Sequence, residues 1–200
     1  MKRAAVILIL LLSVTAARAG GPRLSWGLEW GYTATFLRTS QHNFVCAEGY
    51  RIIENPDTWR YFSNGSLLAG VGMDVFDKFN ASLYSGLLGV YSKRWVVPAE
   101  LRLTYCPTGL HTDGLLFHAG AALTYPTSVL QDSGWRAEAG AGYRIAVFGN
   151  VSVDFKLSLN ITLDHDILTD PDTGLSVPRS DIKSDTSEYH GINVSLGINF

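Results

Sequence analysis

The sequence predicts an all-β fold, a transmembrane antiparallel up-and-down β-barrel of eight strands around a filled polar lumen. Three observations predict it. Beyond residue 20, apolar residues alternate with polar or small ones in about eight segments, the period of a strand whose two faces meet unlike surroundings. The apolar faces carry up to seven successive positions without a charge, which suits strands of about 9–11 residues crossing a hydrocarbon layer. Glycine and aromatic residues are abundant (20 Gly, 9 Phe, 9 Tyr, 5 Trp) while only 17% of residues are charged, as expected of a crowded inner face and a ring-lined wet boundary.

The elements follow in order. Residues 1–19 have the form of a secretory signal: Lys2 and Arg3, an apolar run from Ala4 to Leu12, and Ala17-Arg18-Ala19 before Gly20. The run is shorter than the roughly 20 residues a membrane helix needs. Residues 20–200 form one domain, the barrel. Its first segment, 24–37, sets Leu24, Trp26, Leu28, Trp30, Tyr32 and Phe36 against Ser25, Gly27, Glu29 and Thr33. Segments 66–76 and 79–91 follow, then 96–105 with Leu101 and Leu103 against Glu100, Arg102 and Thr104. The second half is more regular. Segment 115–125 opposes Phe117 and Leu123 to His118 and Thr124, and 135–147 opposes Trp135, Tyr143 and Ile145 to Arg136, Glu138 and Arg144. Segment 151–163 runs from Val151 to Leu163 against Asp154, Lys156 and Asn160, and 191–200 ends on Phe200.

Connections alternate in length. Those at 77–78, 107–113 and 148–150 are short and rich in turn formers, whereas 40–64 and 164–187 are long and 92–95 and 126–134 intermediate. All longer loops therefore fall at one end. Cys46 and Cys106 then lie at opposite ends and stay unpaired.

Alternation alone also fits a soluble barrel with its apolar face inward. The charge-free runs, a polar face holding both charge signs among glycines, and rings at strand ends choose the inside-out form, as does an apolar last residue. Rings expected at the boundary include Phe79, Tyr105 and Phe200 at the short-turn end and Phe36, Tyr91, Tyr125 and Trp135 at the other. Backbone groups in hydrocarbon have no water partner, so the sheet must close. Five N-x-S/T motifs, at Asn64, Asn80, Asn150, Asn160 and Asn193, then follow from polar residues at successive inward positions, not from glycosylation.

An eight-stranded barrel is just wide enough to be filled by its own side chains. Its expected lumen network is Glu29, Asp74, Glu100, Arg102, His118, Glu138, Arg144, Asp154 and Lys156, and these must pair, because an unpaired buried ion costs several kcal/mol. Pairing Val147 with Val151 across the turn sets Arg144 opposite Asp154, whereas a slip by two sets it opposite Lys156, where like charges repel. A structural plug is the expected result. A net charge of −2 argues against nucleic-acid binding.

On these residues the chain resembles the small eight-stranded bacterial outer-membrane barrels of the OmpA/OmpX type, across its whole length after the signal. In that family a C-terminal strand ending in Phe is read by the outer-membrane assembly machinery. Asn193, Ile198 and Phe200 match its pattern, and Ser195 stands where glycine is commonest. The resemblance implies a monomer in outer-membrane lipid and lipopolysaccharide, with termini and short turns in the periplasm and long loops outside the cell. The filled barrel itself reads as a structural anchor or surface-interaction protein, with an extracellular ligand for the external loops 40–64 and 164–187.

Lipid-modifying enzymes and narrow channels share this architecture. Rim residues His165, Ser187, Glu188 and His190 are the candidates for the first, yet they form no recognisable nucleophile arrangement. The acidic run Asp170-Pro171-Asp172-Thr173-Gly174 offers two carboxylates but not a full calcium loop, and turn chemistry accounts for it. No catalytic residue, metal or cofactor is expected. The first long loop, with Phe44, Tyr50, Trp59, Tyr61 and Phe62, has two readings: interface anchors, or a projecting hairpin suited to partner binding by strand addition.

Overall fold

The computed structural model describes residues 23–91, 94–127 and 132–200. The expected signal, 1–19, lies outside them. The strands are β1 (Arg23–Val45), β2 (Arg51–Glu54), β3 (Asp57–Phe76), β4 (Phe79–Tyr91) and β5 (Arg94–Tyr105), then β6 (Gly114–Pro126), β7 (Gly134–Phe148), β8 (Val151–Asp164) and β9 (Ile182–Asn199). β1 pairs with both β3 and β9, and each remaining neighbour pairs antiparallel with the next. The ring therefore closes on eight strands. β2 stands outside the ring and pairs with β1 alone among the described residues.

The stagger is legible in the pairing. From Leu28, paired residues lead through Ala69, Ser85, Ala99, Leu123, Trp135, Leu163 and Glu188 and return to β1 at Thr39, displaced from position 28 to position 39. One step of that climb is taken up by a bulge between Thr35 and Leu37. Such a shear belongs to a narrow barrel with strands tilted by roughly 35–45°.

Polarity is inside out, which makes this a transmembrane β-barrel. Along β8, Phe155, Leu157, Leu159 and Ile161 project outward and exposed, while Asp154, Lys156, Ser158 and Asn160 are buried. Across the barrel Arg102 is 2% exposed and Leu103, its neighbour in the chain, 57%. The interior is thus polar, with apolar clusters only locally. One is Leu88, Val90, Val96 and Tyr189 towards the loop end; a second is Cys106, Leu110 and Leu116 at the turn end. Tyr84 also lies inside, its ring against Gly70, where a Cβ would sit 2.6 Å from Tyr84 Cδ1. Only glycine leaves room for that ring.

Several expectations are corrected. The stretch 40–64 is largely strand: β1 runs to Val45, β2 follows, and β3 begins at Asp57. Likewise 164–187 shortens, because β9 begins at Ile182. Above the ring these strands pair with one another on the sides they share and their free edges meet water, so no repeating apolar pattern is needed there. Val147 does not pair with Val151; a bulge between Ala146 and Phe148 pairs Phe148 with Val151 and leaves Arg144 opposite Asp154. A bulge between Gly89 and Tyr91 turns Tyr91 against Tyr189, with ring centroids 5.0 Å apart, instead of outward to a boundary. Asn150 is exposed in the β7–β8 turn, not inward.

Candidate functional site

The middle of the lumen is organised around Arg102. Its Nε donates to Glu100 Oε1 at 2.7 Å, Nη1 to Glu29, and Nη2 lies 3.1 Å from Glu138 Oε1. The guanidinium stacks 4.5 Å from the Tyr84 ring centroid. Lys156 Nζ also donates to Glu29, and Arg136 Nη2 donates to Glu138 Oε2 at 3.0 Å. Three carboxylates thus meet Arg102, Arg136 and Lys156, and the charges cancel. His118 Nε2 stands 3.7 Å from Glu138. Buried ions are tolerated only when each desolvated charge is met by an opposite one and by hydrogen bonds.

Towards the short-turn end, Arg144 holds Asp154 with two parallel bonds of 2.7 Å each and donates from Nη1 to the Leu110 carbonyl at 2.8 Å. Asn199 Nδ2 donates to Asp154 at 2.8 Å. Asp74 is half-buried; it accepts from Asn80 at 2.8 Å and lies 3.3 Å from His111. A cavity of about 40 Å³ lies between these groups. All nine expected lumen residues line the interior, with Asp74 at its edge. Arg136 belongs with them and is absent from the expected set, although it shares the inward parity of Glu138.

At the loop end, a second polar cluster closes the mouth. Asp166, just past β8, receives Arg38 Nη2 at 2.5 Å, Arg94 Nη1 at 2.9 Å, Tyr189 Oη at 2.8 Å and the Ser187 hydroxyl, with His42 Nε2 at 3.3 Å. Ser40 and Ser187 are hydrogen-bonded at 2.7 Å. Arg94 also lies 2.9 Å from Asp164 and donates to the His165 carbonyl. Burial works against the Asp166 charge, but the bonds from Ser187, Arg38 and Tyr189 outweigh it and hold the carboxyl down at about 2. A carboxyl depressed in the folded state stabilises it fully above the ordinary range. The stabilisation from Asp166 is therefore expected to persist down to about pH 4 and to disappear as pH falls to about 2. Tryptic cleavage after Arg179 would be blind to it at neutral pH; hydrogen exchange of residues 165–181 across this interval measures it.

Of these mouth residues the sequence singles out only Ser187 and His165, as candidates for nucleophile chemistry. The Ser187 hydroxyl is engaged by Asp166 and Ser40, while His165 Nδ1 lies 2.9 Å from Asp185 Oδ1 and His190 Nε2 lies 3.6 Å from Glu188. Among the described residues Ser187 has no hydrogen bond to His165 or His190. Ligand atoms of Cys46, Asp170 and Asp172 come within 4.8 Å of one another. Asp170, however, accepts from the backbone N–H groups of Asp172 and Thr173, which is turn chemistry, and from that of Ala47, while Tyr50 donates to Asp172 at 2.7 Å, so both carboxylates are engaged within the protein. Cys46 and Cys106 are free, buried and at opposite ends.

In the last strand Asn193 and Ser195 face inward and are buried, Ile198 is half-buried on the outward side and Phe200 is half exposed. Phe200 is tied to β1 by its N–H to the Trp26 carbonyl at 2.8 Å and by Trp26 N–H to its own carbonyl at 3.1 Å.

No protein-family model matches the chain, and no curated protein matches it in sequence. Among solved structures it is similar to the crystal structure of the outer membrane protein OprG from Pseudomonas aeruginosa, with a TM-score of 0.48 and 11% identity over 88% of this chain and 95% of that one. It is also similar to the solid-state NMR structure of the outer membrane protein AlkL in DMPC lipid bilayers, with a TM-score of 0.43 and 13% identity over 86% of this chain and 89% of that one.

Proposed function

We propose that the protein is an integral monomeric barrel of a bacterial outer membrane, a rigid anchor that holds a surface-interaction platform outside the cell. One observation carries this reading: the lumen is plugged by a charge-balanced network centred on Arg102, while β1, β2, β3 and β9 continue as sheet beyond the ring. A wall so filled favours anchoring over conduction. Short turns and both termini then face the periplasm, and the lipid-facing band meets lipopolysaccharide in the outer leaflet. The alternating Asn193, Ser195, Ile198 and Phe200 supply the strand that the assembly machinery would recognise.

The platform offers what a partner needs. β3 pairs with β4 only from Ser66 onward, so its segment 57–65 keeps one edge unpaired among the described residues. Trp59 and Tyr61 project from that segment, exposed, with Trp59 stacked on Phe36 at 6.4 Å. An extended peptide added to this edge would gain main-chain hydrogen bonds and aromatic contacts together.

Planar-bilayer recording tests the reading. Purified protein is expected to insert without unitary conductance steps; regular steps would favour a narrow channel instead. Incubation with lipopolysaccharide is expected to leave it unchanged by mass, and a modified lipid A would establish an enzyme.

A further inference from the structure

We propose that the barrel mouth is a binding site for a small monocarboxylate, which the chain fills with its own Asp166. Five side chains from three strands aim their donors at this one group. Oδ1 receives Arg94 and Tyr189, and Oδ2 receives Arg38 and Ser187 with His42 beside it. Two guanidinium groups and two hydroxyls divided between the two oxygens of one planar group are a carboxylate receptor in composition and geometry. The carboxylate belongs to the connection between β8 and β9, not to the wall, whereas every donor stands on a strand of the barrel or its extension. The receptor therefore outlasts the departure of its occupant.

Charge sets the class of ligand. Arg38 and Arg94 face Asp166 and Asp164, the latter 2.9 Å from Arg94. With Asp166 withdrawn, Asp164 still answers one arginine, so a single negative charge restores neutrality and a second is repelled. An open cleft of about 360 Å³, lined by Arg38, His42, Glu54 and Asp166 itself, leads to these donors. Glu54 in its lining repels a further anionic group. Such a volume falls within the range of small-molecule sites. Asp166 competes as a tethered ligand, its effective concentration set by the short connection. Binding from solution exchanges one carboxylate for another and removes the tie that Asp166 makes between the connection and the wall, which loosens residues 165–181.

The test uses the full folded protein in detergent micelles, with propionate as probe and chloride and phosphate at matched ionic strength as controls. Asp166→Ala empties the receptor; propionate is expected to raise its urea midpoint, with chloride and phosphate without effect. Adding Arg94→Gln is expected to weaken the propionate response about tenfold or more, the usual loss with one charged hydrogen bond. Asp166→Asn keeps the side chain's shape where alanine prevents folding. Its neutral amide holds the connection weakly, so propionate is expected to speed tryptic cleavage after Arg179 several-fold over chloride. Equal effects of propionate and chloride in these variants, or an equal effect of phosphate, would overturn the proposal.

Discussion

Arg102→Met is expected to destabilise the barrel by about 3–5 kcal/mol, the usual consequence of removing one partner from a buried ionic cluster. The reason is local. Glu29 keeps Lys156 and Glu138 keeps Arg136, but Glu100 has its charged hydrogen bond from Arg102 alone among the described residues. Methionine fills part of the volume and rests on Tyr84, so the loss is electrostatic and not a void. Urea titration of protein folded in lipid vesicles measures it, with heat-modifiable gel migration reporting closure. A second substitution, Glu100→Gln, is expected to return much of the loss, because it removes the carboxylate left alone. If Arg102→Met alone behaves like the unsubstituted protein, the network is ornament and the plug lies elsewhere.

Leu157→Arg probes the opposite face and is expected to cost about 2–4 kcal/mol, the penalty for a cation near the bilayer midplane on a lipid-facing strand. Leu157 is the middle outward position of β8, 58% exposed, with Phe155 and Leu159 on either side. Depth gives the experiment its control: the same change at Leu163, at the end of the strand, is expected to cost about 0–1 kcal/mol. Vesicle refolding titrations of both variants decide the matter. Equal penalties would mean that the outward side chains do not meet a graded apolar layer.

The wall was legible because one rule governs it. In β8 each residue has a single fate, acyl chain or lumen, and a period of two records that choice from Val151 to Leu163. Lumen membership of Glu29, Arg102, Glu138 and Lys156 follows from the same parity. The mouth follows other rules. Arg38 and His42 face inward only because the bulge at Thr35/Leu37 reverses the parity of β1, and nothing in residues 35–37 marks it. Asp166 lies in a stretch whose composition signals only an acidic loop, and its partners come from β1, β5 and β9, far away in sequence. The hairpin above the ring was hidden for a related reason. The covered face of this sheet mixes Ser40 and His42 with Phe44 and Cys46, so no repeating apolar face marks it and residues 40–64 resemble a loop although most of them pair.

The irregularity in β1 has an evolutionary corollary. A strand of strict alternation ties every position to every other, so losing or gaining one residue inverts all of the ribbon beyond it. The extra residue near Phe36 uncouples two gears: below it the anchor can keep its phase under selection from lipid, while above it the rim is free to be re-timed. Lineages could thus exchange whole crowns, with different cargo or none, on an unaltered stem.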